Sequence, residues 1–152
     1  MPSKPRAYVL DSWSVMAFLE DEPAGEAVGN IIADAHDHGI PLMMTTINAG
    51  EVWYILAREV SEAAADQSIQ DMRELGIQFH DADWKLTNQA ARFKATKKMS
   101  FADCFPSALA FQHKGSVLVT GDKEFKDVEE SVKIHWLVRS IFCIRRTNER
   151  RY

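Results

Sequence analysis

Cysteine is scarce in this chain, and long apolar runs are missing. Two cysteines, Cys104 and Cys143, among 152 residues make no disulfide framework, and no Cys/His cluster has the spacing of a zinc site. Free thiols in a reducing compartment are the expectation. No apolar run approaches the roughly 18 residues of a membrane span. The opening Met-Pro-Ser-Lys-Pro-Arg leads straight into the short run "AYVL", which lacks the length and the cleavage site of a signal peptide. A cytosolic protein with no membrane partner is expected. A large excess of one charge is absent too. The net charge is -4, which does not advertise a nucleic-acid binder, although net charge says little about local patches. Internal repeats, low-complexity segments and domain linkers are lacking, so one domain is expected.

What is present is a folding composition, 46% hydrophobic and 26% charged, in a chain long enough to bury a proper core. Short apolar runs of strand length recur: "AYVL" (7–10), "PLMMT" (41–45), "IQFH" (77–80), "SVLVT" (116–120) and "VKIHWL" (132–137). The first and fourth are apolar without alternation, as strands buried on both faces should be. Longer stretches of helical period lie between them. "WSVMAFLEDE" is one, and "AGEAVGNIIADAHDHG" is another, stopped at Gly39. "TTINAGEVWYILAREV" follows, with Thr46 as its expected N-cap. Then come "SEAAADQSIQDMREL", "DWKLTNQAARFKATKK" and "SFADCFPSALAFQHKG". Strands alternating with helices predict a parallel sheet covered on both faces.

In open α/β sheets, ligands bind beyond the carboxyl ends of the strands. Asp11 follows the first strand and Asp122 the fourth. Glu51 sits in the helix after the second strand, and Asp103 in the first turn of the helix leading into the fourth. Each has an ordinary explanation as a cap, a turn or a solvated side chain. Four acids on one sheet edge are different, because their repulsion needs a compensating cation. All-oxygen ligands suit Mg2+ or Mn2+ rather than zinc. Arg92, Lys94, Lys97 and Lys98 precede Asp103, and Lys123 and Lys126 follow Asp122. Any one of these is ordinarily a solvated charge. Beside an acidic metal site the group fits a phosphodiester, with cations holding the backbone. The five histidines are scattered, and none is assigned to the site.

Three segments carry a family resemblance. "YVLDSWSVMAFLEDEP", "TTINAGEVWYIL" and "SFADCFPSALAFQHKGSVLVTGDKEF" resemble, in order and spacing, the motifs of PIN-domain proteins over about residues 6–137. The nearest subgroup is the VapC-type toxins of toxin–antitoxin pairs. The resemblance implies a three-layer α/β/α fold whose five-stranded parallel sheet has the order 3-2-1-4-5. It implies a Mg2+-dependent ribonuclease, a homodimer, and an antitoxin whose C-terminal segment covers the active site. Carried over, the metal-site acids are Asp11, Glu51, Asp103 and Asp122. Ser12, Ser100 and Thr120 are the candidates for orienting a carboxylate or a water, and Lys94, Lys97, Lys98 and Lys123 for holding RNA. The strand order places the topological switch between the first and fourth strands, where Asp11 and Asp122 would face each other.

The expected reaction is hydrolysis of an RNA phosphodiester by water that the cation acidifies. Two alternatives stand beside it. "GDKEFKD", with Asp122 and Asp127, resembles the acidic motif of haloacid-dehalogenase-type phosphatases, but that chemistry needs an Asp two residues after the nucleophile, and position 13 is Trp. The other is a catalytically silent PIN scaffold used for binding. Two departures from the family pattern remain. Pro106 inside a helix removes a backbone bond and kinks, which would displace Asp103 or delay the helix start. Residues 138–152 form a basic tail beyond the 1–137 domain, with five Arg and one Glu from Arg139 onward.

Overall fold

The structure, a computed structural model, describes residues 3–137. The basic tail and Cys143 lie outside the described residues. The chain alternates as its periodicity predicts. Strands β1 (Ala7–Leu10), β2 (Leu42–Thr45), β3 (Ile77–His80), β4 (Ser116–Thr120) and β5 (Ile134–Trp136) form one sheet in the order β3-β2-β1-β4-β5. Every neighbouring pair is parallel. Helices α1 (Ser12–Leu19), α2 (Pro23–His38), α3 (Thr46–Glu59), α4 (Glu62–Glu74), α5 (Trp84–Thr96) and α6 (Phe101–Gln112) make the connections.

The strands alternate between two cores. Tyr8 and Leu10 of β1 join Val28, Met44, Val52, Met72 and Val119 on one face. Ala7 and Val9 join Met43, Phe93, Cys104, Leu109, Leu118 and Phe125 on the other. A central parallel strand with both faces covered is apolar along its middle, which is why β1 and residues 117–119 of β4 show no polar alternation. Each fully buried Val, Leu, Met or Phe among these stabilises the fold by about 1.5–3 kcal/mol against exposure.

Local boundaries follow caps. Gly39 ends α2 in a left-handed conformation (φ 64°) that a side chain rarely tolerates. Two expectations change. The N-cap of α3 is Thr45, not Thr46: its hydroxyl accepts from the Asn48 amide, so strand and helix share a junction with no loop between. The last strand is shorter than the apolar run suggested, because Val132 turns into the core with its amide on the Val128 carbonyl. Pro106 lies inside α6, yet the helix starts at Phe101 under a Ser100 cap and Asp103 keeps its first-turn place.

Candidate metal centre

The β1–β4 register sets the heart of the site. Leu10 pairs with Val119, so the next residues, Asp11 and Thr120, stand side by side at the strand ends. Asp11 is 1% exposed and both its oxygens are engaged. Its Oδ1 accepts from the Ser14 amide at 2.9 Å and caps α1. Its Oδ2 accepts from the Thr120 hydroxyl. That same hydroxyl oxygen accepts from the Asp122 amide at 3.0 Å. Thr120 therefore ties the two acids at the switch point together. Asp122 in turn caps a short 3₁₀ helix, Lys123–Val128, by accepting from the Glu124 amide at 3.0 Å.

Asp103 enters from α6 and Glu51 from α3. Glu51, Asp103 and Asp122 line one cleft of about 420 Å3, together with Ser12 and Ser100 and an apolar wall that includes Trp13, Met16 and Ile55. Trp13 packs close to the loop carrying Asp122: a Cβ added at Gly121 would sit 2.3 Å from the indole Cη2, so a side chain there would force the indole to move. Glu51 is held by Asn48, whose Nδ2 donates to Oε1 at 2.9 Å.

A fifth acid joins them. One carboxylate oxygen each from Asp103, Asp122 and Glu124 lie within 4.8 Å of one another, the only trio of this kind among the described residues. Asp11 and Glu51 do not enter that trio. Glu124 escaped the sequence reading because "GDKEF" looked like a turn, where a residue two positions on faces away. The 3₁₀ start, fixed by the Asp122 cap, brings that residue back beside Asp122. An acid at i+2 of a capping Asp was the available signal.

The electrostatics show the crowding. Burial pushes the Asp103 carboxyl up to about 8, with further repulsion from Asp122 and Asp11, a side-chain hydrogen bond to Glu124, and repulsion from Glu51. Burial pushes Asp11 up to about 6, with a smaller push from Asp122, against the pull of its bonds to Thr120 and Ser14. Carboxylates in this state favour either a proton or a cation, and an all-oxygen donor set fits a hard divalent ion.

The candidate lysines are spread over two elements. Lys98 and Lys123 are exposed, and Lys97 is half-buried at the end of α5. Lys94 donates its ammonium to the Met99 carbonyl at 2.9 Å, which occupies one of its donors in the loop before α6. Ser100 caps α6 through the Asp103 amide at 3.2 Å.

The sequence pattern of the PIN domain matches residues 8–131. The chain belongs to the PIN-domain family. This PIN domain is similar to several solved structures. One is VapBC2 from Rickettsia felis bound to a DNA fragment from its promoter, with TM-score 0.70, 13% identity, and coverage of 87% of this chain and 99% of that one. Another is VapBC-1 from nontypeable Haemophilus influenzae, with TM-score 0.62, 16% identity, and coverage of 88% and 99%. A third is VapC20 from Mycobacterium tuberculosis, described as a sarcin–ricin loop cleaving toxin, with TM-score 0.58, 18% identity, and coverage of 74% and 87%. At these identities the likeness is one of fold. No curated protein matches the chain by sequence. Among the described residues no helix is long and apolar enough to cross a membrane.

Proposed function

We propose that this PIN domain is a Mg2+-dependent ribonuclease and the toxin of a VapBC-type toxin–antitoxin pair. The observation that carries the reading is the convergence of Asp103, Asp122 and Glu124, next to buried Asp11, at the carboxyl edge of the sheet. The PIN-family match and the VapC20 description support ribonuclease chemistry over the phosphatase alternative. Trp13, where a phosphatase needs an Asp, points the same way.

Bound at the trio, Mg2+ or Mn2+ would neutralise the carboxylates and acidify water for attack on a phosphodiester. Asp103, Asp122 and Glu124 would hold the ion. Asp11, fixed by Ser14 and Thr120, and Glu51, from α3, would add negative charge to the site. Ser12 and Ser100 line the same cleft within reach of water. Lys97, Lys98 and Lys123 hold the RNA backbone, with Lys94 as a lesser contributor. The protein acts as a homodimer. Its antitoxin seats a segment in the cleft and sets a cation, such as an arginine, among the acids.

Purified protein incubated with structured and single-stranded RNA tests the activity. Cleavage in Mg2+ that stops in chelator is expected. Cleavage unaffected by chelator refutes the metal dependence, and no cleavage of either RNA in Mg2+ refutes the reading and revives the silent scaffold.

A further inference from the structure

Pro106 leaves a gap in α6. In an α-helix the amide of residue 106 donates to the carbonyl of residue 102. Proline has no such amide, so the Ala102 carbonyl loses its helical partner one residue before Asp103. A part-buried carbonyl left without a donor costs free energy, and the fold supplies another donor. Asn48 Nδ2, from α3, donates to Ala102 O at 3.1 Å. The second proton of that amide goes to Glu51 Oε1 at 2.9 Å. On its other side, Asn48 Oδ1 accepts from the Thr45 hydroxyl.

Asn48 and Thr45 are both fully buried. The amide orientation is fixed by chemistry. Turned over, its oxygen would face two acceptors, the Glu51 carboxylate and the Ala102 carbonyl. Asn48 precedes Glu51 by three residues, which puts both on one side of α3. The side chain thus has one proton on each helix of the site, α6 carrying Asp103 and α3 carrying Glu51.

We infer that Asn48 is the positioning residue of the metal centre, coupling Glu51 to α6 through the carbonyl that Pro106 sets free. The inference rests on the reading of Glu51 as a carboxylate of that centre. In this arrangement Pro106 creates the acceptor that anchors the network, and does not distort the site. Without Asn48, Glu51 loses its donor, and nothing ties its carboxylate to the helix bearing Asp103.

The test is Mn2+ binding by calorimetry on the full chain, in wild type, Asn48→Ala, Glu51→Gln and the double variant, with folding followed by circular dichroism. Loss of an orienting partner typically weakens a metal about 10- to 100-fold, and that loss is expected for Asn48→Ala. Glu51→Gln should weaken binding at least as much. The double variant should bind no worse than Glu51→Gln alone, because Asn48 acts only through Glu51. Wild-type affinity in Asn48→Ala, or additive losses in the double variant, overturns the inference and leaves the reading of Glu51 standing. Wild-type affinity in Glu51→Gln overturns both. Should Asn48→Ala not fold, Pro106→Ala carries the test. Its new amide competes for the Ala102 carbonyl, so the Asn48 side-chain protons should exchange faster with solvent and Mn2+ affinity should fall. No change in either overturns the coupling.

Discussion

The two ends of the sheet treat an aspartate in opposite ways. At the amino end of β1, Asp34 on α2 receives Lys4 Nζ at 2.8 Å and the Tyr8 hydroxyl at 3.0 Å. Those bonds hold its carboxyl below the usual range. Tyr8 is pushed up to about 12, first by burial and then by the Asp34 bond. At the carboxyl end, Asp103 and Asp11 are raised, and among the described residues no salt bridge relieves them. One end is compensated within the chain. The other is left in need of something from outside. An acid with its cation already present is compensated within the fold, and acids crowded without one mark a candidate ligand site.

The comparison breaks most sharply at Asp11. Asp11→Asn should abolish Mg2+-dependent RNA cleavage while raising the stability of the metal-free protein, because one crowded carboxylate is gone. For a chain of this size each kcal/mol of relieved repulsion raises Tm by about 2–4 °C. Cleavage at the wild-type rate would remove Asp11 from the site.

Acidity separates the two ends next. Asp11 and Asp103 have an ordinary value of 3.8 and hold their protons to about 6 and about 8 in the folded chain. Between those limits the folded state binds more protons than the unfolded one, so stability falls as pH rises. Thermal melts in chelator should therefore show Tm falling from pH 5 to pH 8, and Mg2+ should reverse the fall. Asp34 works the other way. Its contribution is complete above 3.8 and fades only as pH drops below that value. A chelator-treated Tm that rises from pH 5 to pH 8 would contradict the crowding.

A smaller effect tests the surround of the acidic end. Lys97→Ala with Lys98→Ala, in an Asp11→Asn background, should weaken RNA binding alike for all sequences. It should also reduce the slope of log K against log[salt] by about 0.7 per lost phosphate contact on single strands. Unchanged affinity and slope would assign both lysines to solvent. The smallest effect belongs to the compensated end. Lys4→Ala removes an exposed ion pair, and such pairs contribute little. Cleavage should be unchanged and Tm should move by no more than its error. A loss of cleavage there would show that the two ends are not independent.

The strands were legible because each is a short apolar run bounded by turn signals, and β1, β3 and β4 begin and end where those runs do. The family order of the four motifs made the strand order readable as well. What stayed hidden depends on shape at the scale of one turn. Thr45 and Thr46 are the same residue type, and only the hydroxyl on the Asn48 amide tells which one caps. Glu124 required the 3₁₀ turn. The role of Asn48 is hidden in the sequence, since the two acceptors of its amide protons are separated from it by three residues and by 54. Pro106 was legible as a missing bond, but the donor that replaces it was not.

The bond between Asp11 and Thr120 spans 109 positions of the chain. During synthesis β1 emerges early, with Asp11 at its end, yet its neighbour on one side is not made until β4 follows. Contacts this distant in sequence form late, and the loop between them must close before they form. A growing chain that stops before Ser116 carries Asp11, Glu51 and Asp103 but lacks β4 beside β1, and has neither Asp122 nor Glu124 to complete the trio. The acidic cluster is therefore incomplete until most of the chain has been made, and a product truncated before Ser116 lacks two of the three acids of the trio.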